Sequence, residues 1–325
     1  MSNQTLFGSR HVVLGAGPVG AAIAEAITAR GGEAVVLSRS GRAVAGAQVA
    51  AVDVTDAGAL AHHLVGAAAV YQCAQPAYHR WVEEFPAMQR AVVNACSRAG
   101  ARLVVVENLY GYGHVDGPIS RTLPLAATTK KGRVRAAMWT SLEQAYTAGV
   151  VEVVAVRGSD FIGPRVTASM FGERFVGPLV AGKAAEVLGP LEVRHSVTYV
   201  PDLATAMVEI GARDDALGQA WLAPGAPAAT VAELVALLAS AADVEPRTRR
   251  VRAWQLRAAG LFMPAARETV EMLYEFADDF VVDSQETTDR FGLCATPLAE
   301  VAAHTVDWYR QRADQSVATA AKAAS

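Results

Sequence analysis

The chain has 325 residues, of which 52% are hydrophobic and 19% charged, a composition typical of a globular protein with one large or two smaller cores. Its formal net charge of −3 gives no support for a nucleic-acid or membrane partner. The three cysteines (Cys73, Cys96 and Cys294) are far apart and fit neither a disulfide framework nor a metal site. The N-terminal stretch has no apolar signal region, so we expect a cytoplasmic protein.

A glycine-rich turn follows the first predicted strand. Residues 12–14 are apolar and lead into Gly15-Ala16-Gly17-Pro18-Val19-Gly20, which an Ala/Ile-rich helical segment follows. A strand, a glycine turn and a helix in this order are typical of a dinucleotide-binding βα unit. Gly15 permits the tight turn, Gly17 lets the backbone approach a diphosphate, and Gly20 lets the helix pack on the strand. We therefore predict that Gly15, Gly17, Pro18, Val19 and Gly20 bind a cofactor, although a turn that serves packing alone is the alternative.

Short apolar strands alternate with helices through the first half of the chain. A helix over Trp81–Ala99 and another over 132–148 lie between the later strands. This alternation predicts an α/β fold with a doubly wound, parallel, Rossmann-type sheet. The predicted strands are 12–14, 34–37, 49–52, 67–71, 103–106 and 151–156.

The pattern changes at Gly163-Pro164, beyond which short helices and Pro/Gly loops predominate. We predict a dinucleotide-binding domain over 1–165, to which a segment near 195–222 returns. A smaller, mostly helical substrate lobe is expected over 166–312. The low-complexity tail 313–325 is expected to be disordered.

The end of the second strand indicates which nucleotide is bound. An NAD site usually has an acidic residue there, whereas this chain has Ser38 and Arg39, with Arg42 close behind. Serine and arginine can bind a 2′-phosphate that a carboxylate would repel, which favours NADP(H) and leaves NAD(H) as the alternative. Asp53 and Val54 end the third strand, where they can contact adenine, although Asp53 could instead cap a turn.

Several motifs together resemble the extended short-chain dehydrogenases/reductases, the NAD-dependent epimerase/dehydratase family. They are GAGPVG, AVDVTD, VYQCAQP, VVVENLYGYG, VRGSDFIGP and RHSVTYVPDLATAM, within a similarity that spans about 12–308. The resemblance implies a Rossmann domain with a C-terminal substrate lobe, and a homodimer formed through the helices that begin near Trp81 and Gly132. It also implies cofactor contacts and one substrate contact after the fourth and sixth strands: Cys73, Ala74, Gln75, Gly158, Ser159 and Asp160 for the cofactor, and Phe161 for the substrate.

The chain departs from the family at its catalytic positions. The family has a Ser or Thr after strand five and a Tyr-x-x-x-Lys on the next helix, where this chain has Asn108, Lys131 and Arg135. The chain therefore resembles an atypical subgroup of the family that lacks the Tyr-x-x-x-Lys pair. Asn108 can hydrogen-bond a carbonyl oxygen, Lys131 can donate a proton or stabilise an oxyanion, and Arg135 can orient Lys131 or bind ribose and phosphate.

Aromatic residues near the same sheet edge offer further candidates. Tyr110 follows strand five by a few residues and is a second candidate proton donor, while Pro76 and Tyr78 follow strand four and can line the substrate site. The first hypothesis is an NADP(H)-dependent oxidoreductase that acts on a carbonyl or activated double bond of a small, hydrophobic metabolite. Lys131 or Tyr110 would supply the proton. The alternatives are a non-catalytic NADP(H)-binding sensor and a nucleotide-sugar epimerase or dehydratase.

Overall fold

The computed structural model describes residues 8–323, and these residues form two compact units. The first unit contains the chain up to Gly158 together with Pro201–Pro224 and Asp283–Cys294. The second contains Ser159–Val200, Gly225–Val282 and the chain after residue 294. The first segment of this unit therefore ends before the expected boundary at 165. Its second segment, Pro201–Pro224, lies close to the returning segment expected near 195–222. Its third, Asp283–Cys294, lies within the range that the sequence assigns to the substrate lobe.

The first unit is built on a seven-stranded sheet in the described part of the chain, with parallel pairing throughout. All six predicted strands are present, and a seventh from the returning segment pairs with the sixth. The strand order is β7-β6-β5-β4-β1-β2-β3, which confirms the Rossmann-type prediction. The strands are β1 (Arg10–Leu14), β2 (Glu33–Ser38), β3 (Gln48–Ala51), β4 (Ala69–Gln72), β5 (Arg102–Glu107), β6 (Val153–Arg157) and β7 (Ala220–Leu222).

The helices of the first unit begin and end at residues that satisfy their terminal backbone groups. Asp56 caps one helix by accepting from Gly58 N and Ala59 N, both at 3.0 Å. Thr129 caps another, and Gly100 ends the longest in the left-handed conformation at φ 64°. The helices are α1 (Pro18–Thr28), α2 (Ala57–His63), α3 (Trp81–Ala99), α4 (Lys130–Thr147), α5 (Val200–Gly211) and α6 (Gln285–Phe291).

Strand order places the loops after β1 and β4 side by side. The sheet extends from β1 through β2 in one direction and through β4 in the other, so these two carboxyl ends flank the point where the order reverses. Ligands of open α/β sheets bind in the crevice at such a point. The glycine turn after β1 lies there, with Gly15 N donating to Leu37 O and Cys73 N donating to Leu14 O.

The second unit packs five helices of its described residues around an apolar core that includes Phe175, Leu238 and Val306. Its helices are Val176–Val180, Val231–Ala242, Ala253–Ala259, Pro264–Thr269 and Leu298–Ala323. Its short strands pair as Asp160–Ile162 with Val197–Tyr199, Arg194–His195 with Ala229–Thr230, and Ala185–Val187 with Thr248–Arg250.

The last helix corrects the expectation for the C-terminal tail. It continues to Ala323, so most of the segment predicted to be disordered is helical, while 324 and 325 lie outside the described residues. Alanine has the highest helix propensity, and the helix is already anchored where Tyr309 donates to Val166 O at 2.7 Å. Among the described residues, no helix is both long and apolar enough to cross a bilayer.

Candidate active site

The glycine turn closes tightly on the first turn of α1. Gly15 has φ +109°, which other residues rarely adopt, and a Cβ on Gly20 would lie 1.9 Å from Gly15 O. At Gly17, by contrast, an added Cβ would meet no atom within 4 Å. Pro18 occupies the first position of α1, and Val19 is buried. Gly15 and Gly20 are therefore required by the fold, whereas Gly17 leaves space beside a helix N-terminus that attracts anions.

Two arginines and an unsatisfied hydroxyl lie at the end of β2. Ser38 Oγ is buried and has no hydrogen-bond partner within the described residues, and the exposed Arg39 follows it. Arg42 reaches back to the glycine turn, where its guanidinium donates to Ala16 O. Contacts of Ser38, Arg39 and Arg42 with a ribose or its phosphate stay predictions.

The turn after β3 holds Asp53 in a local hydrogen-bond pattern. Its Oδ1 accepts from Thr55 N at 2.9 Å and from Thr55 Oγ1 at 2.7 Å. These backbone and side-chain hydrogen bonds, together with the charge of Arg39, lower the pKa of Asp53. Val54 is buried. Asp53 thus stabilises a turn, and contact of Asp53 or Val54 with adenine stays a prediction.

The loop after β4 approaches the glycine turn closely. A Cβ on Gly15 would lie 3.0 Å from Ala74 N, next to the half-buried Cys73, whose thiol pKa is raised by burial. Gln72 donates to Ala74 O at 2.9 Å, while its Oε1 is a buried acceptor that no group of the described chain satisfies. Gln75 is exposed just beyond. Sequence reasoning missed Gln72, although a polar residue that ends an apolar strand was a usable signal.

Tyr78, Tyr110 and Lys131, here called the Tyr–Lys cluster, come together from three elements. Tyr78 Oη donates to Tyr110 Oη at 3.4 Å, and Lys131 Nζ lies 4.5 Å from the centroid of the Tyr78 ring. Lys131 is only 1% exposed. Trp81 packs against both tyrosines, with ring centroids 5.0 and 6.0 Å away. Two phenols and an ammonium thus share one partly buried site, a combination suited to proton transfer.

The local backbone explains how the cluster forms. Asn108 Oδ1 accepts from Tyr110 N at 3.3 Å and so stabilises the turn that carries Tyr110. A Cβ on Gly132 would lie 2.5 Å from Tyr110 O, so glycine lets the first turn of α4 approach that turn. Pro76 is buried, and its carbonyl accepts from Trp81 Nε1 at 3.2 Å. Asn108 and Pro76 therefore support the cluster, and their contacts with a substrate or cofactor stay predictions.

Arg135 belongs to a buried ion-pair network behind the cluster. Its Nη2 lies 3.3 Å from Glu107 Oε1, and Arg157 Nε lies 3.0 Å from Glu107 Oε2. Arg157 also donates to Tyr112 Oη at 2.8 Å. Burial lowers the pKa of Arg135. Burial also acts to lower the pKa of Arg157, but the interactions of Arg157 with Glu107 and Tyr112 outweigh it, so that pKa is raised. This environment favours a positioning role for Arg135, and direct catalysis by it stays a prediction.

Sequence reasoning missed the rest of this network, although a signal was present. Glu107 and Arg157 each follow a run of at least four apolar residues at the end of a strand, and they are direct partners in the register of β5 and β6. A charge at the end of a buried strand requires a partner. Neighbouring strands that end in opposite charges would have predicted the pair.

The predicted site residues that follow β6 mostly form hydrogen bonds within the protein, and these bonds do not test their predicted contacts with a cofactor or substrate. Gly158 N donates to Glu107 O in the first unit. In the second unit, Ser159 Oγ donates to Ser196 O at 2.6 Å, and Asp160 Oδ2 lies 2.9 Å from His195 Nε2. Phe161 is half-buried. Their cofactor or substrate contacts stay predictions, as does the homodimer. No group of three or more His, Cys, Asp or Glu within the described residues is arranged to hold a metal ion.

Comparisons with known proteins agree with this fold. Residues 11–221 match the profile of the NAD dependent epimerase/dehydratase family. Similar structures include UDP-glucuronic acid 4-epimerase from Bacillus cereus in complex with NAD, which has a TM-score of 0.75 and 14% identity and covers 93% of this chain and 99% of that one. The dTDP-glucose 4,6-dehydratase DesIV from Streptomyces venezuelae, with NAD and TYD bound, has a TM-score of 0.74 and 20% identity, and the match covers 93% of this chain and 97% of that one.

A third similar structure is an epimerase from Methanothermobacter thermautotrophicus, with a TM-score of 0.79 and 14% identity over 96% of this chain and 95% of that one. At these identities the likeness concerns the fold. No curated protein sequence matches the chain significantly.

Proposed function

The chain belongs to the NAD-dependent epimerase/dehydratase family, and on this premise we propose an enzyme that uses a nicotinamide dinucleotide for hydride transfer at a hydroxyl- or carbonyl-bearing carbon. The observation that carries the proposal is the Tyr–Lys cluster, in which Tyr78 Oη and Tyr110 Oη are 3.4 Å apart beside the ammonium of Lys131. The cluster supplies acid–base groups although the family's tyrosine position on α4 is occupied by Lys131 itself.

The residues present fit a nicotinamide dinucleotide. Gly17 leaves open space beside the N-terminus of α1, where a diphosphate can approach the backbone N–H groups. The unsatisfied Ser38 Oγ and the exposed guanidinium of Arg39 are available to a ribose and its phosphate, and Arg42 keeps further N–H donors beside the one that donates to Ala16 O. When bound, this cofactor supplies the hydride donor or acceptor. Two arginines without a carboxylate at the end of β2 support NADP(H) over NAD(H).

The Tyr–Lys cluster handles the proton. Tyr110 Oη donates a proton to a substrate carbonyl oxygen as that oxygen gains negative charge. Tyr78 Oη, which already donates a hydrogen bond to Tyr110 Oη, then passes its own proton to Tyr110. The ammonium of Lys131 compensates the negative charge that arises on the tyrosine oxygens. In the opposite direction, the same atoms accept the proton of a substrate hydroxyl.

The family membership supports an epimerase or dehydratase more than a net reductase. In an epimerase the substrate loses a hydride and regains it, so the cofactor returns to its starting state. We therefore place a nucleotide sugar first as the substrate class, ahead of the small hydrophobic carbonyl compound that sequence analysis favours. The likeness to structures of UDP-glucuronic acid 4-epimerase and dTDP-glucose 4,6-dehydratase supports this order.

The test combines cofactor binding with turnover. The purified protein is titrated with NADPH and NADH, then incubated with UDP- and dTDP-hexoses, and its products are resolved by chromatography and mass spectrometry. We expect tighter binding of NADPH, and an isomerised or dehydrated sugar without net cofactor consumption. Tyr110→Phe and Lys131→Met should lower kcat by about 10²–10⁴-fold. Tyr146→Phe, which removes an exposed hydroxyl from the same helix as Lys131, should leave kcat unchanged.

Other outcomes decide between the alternatives. Stoichiometric oxidation of NADPH by a carbonyl panel would replace the epimerase assignment with a reductase. Cofactor binding without turnover on either panel would favour the non-catalytic sensor and overturn the enzyme proposal. Wild-type kcat in both cluster variants would remove the Tyr–Lys cluster from the mechanism.

A further inference from the structure

One segment of the second unit carries a charge opposite to that of the chain. Residues 246–267 contain six arginines and no acidic residue, whereas the rest of the chain has 23 basic and 32 acidic residues. The segment is therefore +6 and the remainder −9. The arginines, all exposed, are Arg247, Arg249, Arg250, Arg252, Arg257 and Arg267. The chain's net charge of −3 hides this concentration.

The same segment exposes large apolar side chains. Trp254 is 61% exposed, and the consecutive Leu261, Phe262 and Met263 are 80%, 88% and 54% exposed. Such a run on a surface is unusual unless it has a function. The three residues form the turn between the helices Ala253–Ala259 and Pro264–Thr269, and they are here called the apolar tip.

The helix before the apolar tip is amphipathic. Gly260 N donates to Leu256 O and Leu261 N to Ala258 O, so the helical path continues into the tip. Trp254, Arg257 and Leu261 then lie at i, i+3 and i+7 on one exposed face, while Leu256 is buried on the other. Aromatic, aliphatic and cationic groups thus share the outward surface.

Nearby carboxylates neutralise little of this charge. Glu186 pairs with both Arg249 and Arg174, and Glu268 lies 3.6 Å from Arg267. Arg257, between Trp254 and the apolar tip, has no carboxylate partner in the ion pairs of the described residues. Four arginines of the segment (Arg247, Arg250, Arg252 and Arg257) therefore keep a charge that no carboxylate pairs among the described residues, while Asp243 and Glu245 flank the segment.

We propose that residues 246–267 dock the protein on the surface of a membrane rich in anionic phospholipid. Arginines bind lipid phosphates through bidentate hydrogen bonds, while Phe262 and its neighbours enter the boundary between headgroups and acyl chains. Side chains as exposed as Leu261 and Phe262 stand off the surface. Such a convex tip enters a fluid layer without a matching cavity, whereas a protein partner would have to provide a pocket for it.

The test is sedimentation of the full chain with vesicles. Vesicles of phosphatidylcholine with about one third phosphatidylglycerol are compared with vesicles of phosphatidylcholine alone, at low and high salt. We expect binding to the anionic vesicles only, at least about tenfold weaker at high salt. Both Leu261→Ser/Phe262→Ser and Arg250→Glu/Arg257→Glu should weaken it at least about tenfold.

Matched controls keep this test specific. Val65→Ser replaces an apolar residue of the first unit that is 70% exposed, and Arg98→Glu reverses an exposed charge on α3. Neither should change binding more than about twofold. Absent binding to anionic vesicles, or equal effects of test and control variants, would overturn the proposal. Binding to immobilised polyglutamate but not to vesicles would show that the segment binds an acidic protein. A dimer that Phe262→Ser dissociates would show that the segment contacts a second copy of the chain. Either result also overturns membrane docking.

Discussion

The carboxylate of Glu107 holds two arginines in the interior of the first unit. The side chains of Glu107, Arg135 and Arg157 are each no more than 5% exposed. Transferring such charges from water is costly, and the cost is offset only if each charge keeps a partner. Arg135 and Arg157 support α4 and the end of β6, so this one carboxylate positions the backbone beneath the Tyr–Lys cluster.

Glu107→Gln should therefore be strongly destabilising. It leaves two buried guanidinium groups without a negative partner, and we expect the free energy of unfolding to fall by about 3–5 kcal/mol in urea titrations. Glu152→Gln is the control, because Glu152 pairs with Arg102 but is 59% exposed, so its loss should cost less than about 1 kcal/mol. Comparable losses in the two variants would show that the network contributes no more than a surface ion pair.

At the scale of elements, the first βα unit contains two kinds of glycine. Gly20 lies in the first turn of α1 against the carbonyl of Gly15, where no Cβ fits. Gly17 is the N-cap of α1 and has φ −78°, a conformation that any residue can adopt, with open space around its missing Cβ. Gly20 thus serves the packing of helix on strand, while Gly17 serves the access of a ligand to the helix N-terminus.

A matched pair of alanine substitutions separates these roles. Gly20→Ala forces α1 away from the turn and should lower the free energy of unfolding by about 1–3 kcal/mol. Gly17→Ala should cost less than about 1 kcal/mol while weakening nicotinamide dinucleotide binding at least about tenfold. Thermal unfolding and fluorescence titration with NADPH measure the two effects. Unchanged affinity in Gly17→Ala would mean that the cofactor does not approach this backbone.

At the scale of the whole molecule, Trp221 joins the three chain segments of the first unit. Trp221 lies in β7 from the returning segment and is 1% exposed. The Arg121 guanidinium lies 4.1 Å from its ring centroid, and the Phe291 ring of α6 meets it edge-on at 4.7 Å. One buried indole of the second segment thus contacts residues of the first and third segments.

Trp221→Ala should therefore weaken the first unit as a whole. Removing a fully buried indole leaves a cavity among all three segments, and we expect a loss of about 3–5 kcal/mol in the free energy of unfolding. The exposed Trp254→Ala should change it by no more than about 0.5 kcal/mol. Urea unfolding followed by circular dichroism measures both, and similar effects would contradict the joining role of Trp221.

The sequence alone determined the alternation of strands and helices and the glycine turn after β1. These features depend on consecutive residues: apolar runs specify buried strands, helical spacing specifies the packing face of Trp81–Ala99, and Gly15 to Gly20 specify a turn. All six predicted strands are therefore present with small differences in their ends.

Only the tertiary structure decided the partners of residues far apart in the chain. Tyr78 and Lys131 are 53 positions apart, and they meet because parallel strands end at one edge of the sheet. The same assembly pairs Glu107 with Arg157 and brings Asp283–Cys294 to the first unit. The tertiary structure also decided which apolar side chains are exposed: the fold leaves Phe262 in solvent although it is as apolar as the residues of the core. Periodicity specifies which residues share a face, whereas packing determines whether that face is covered.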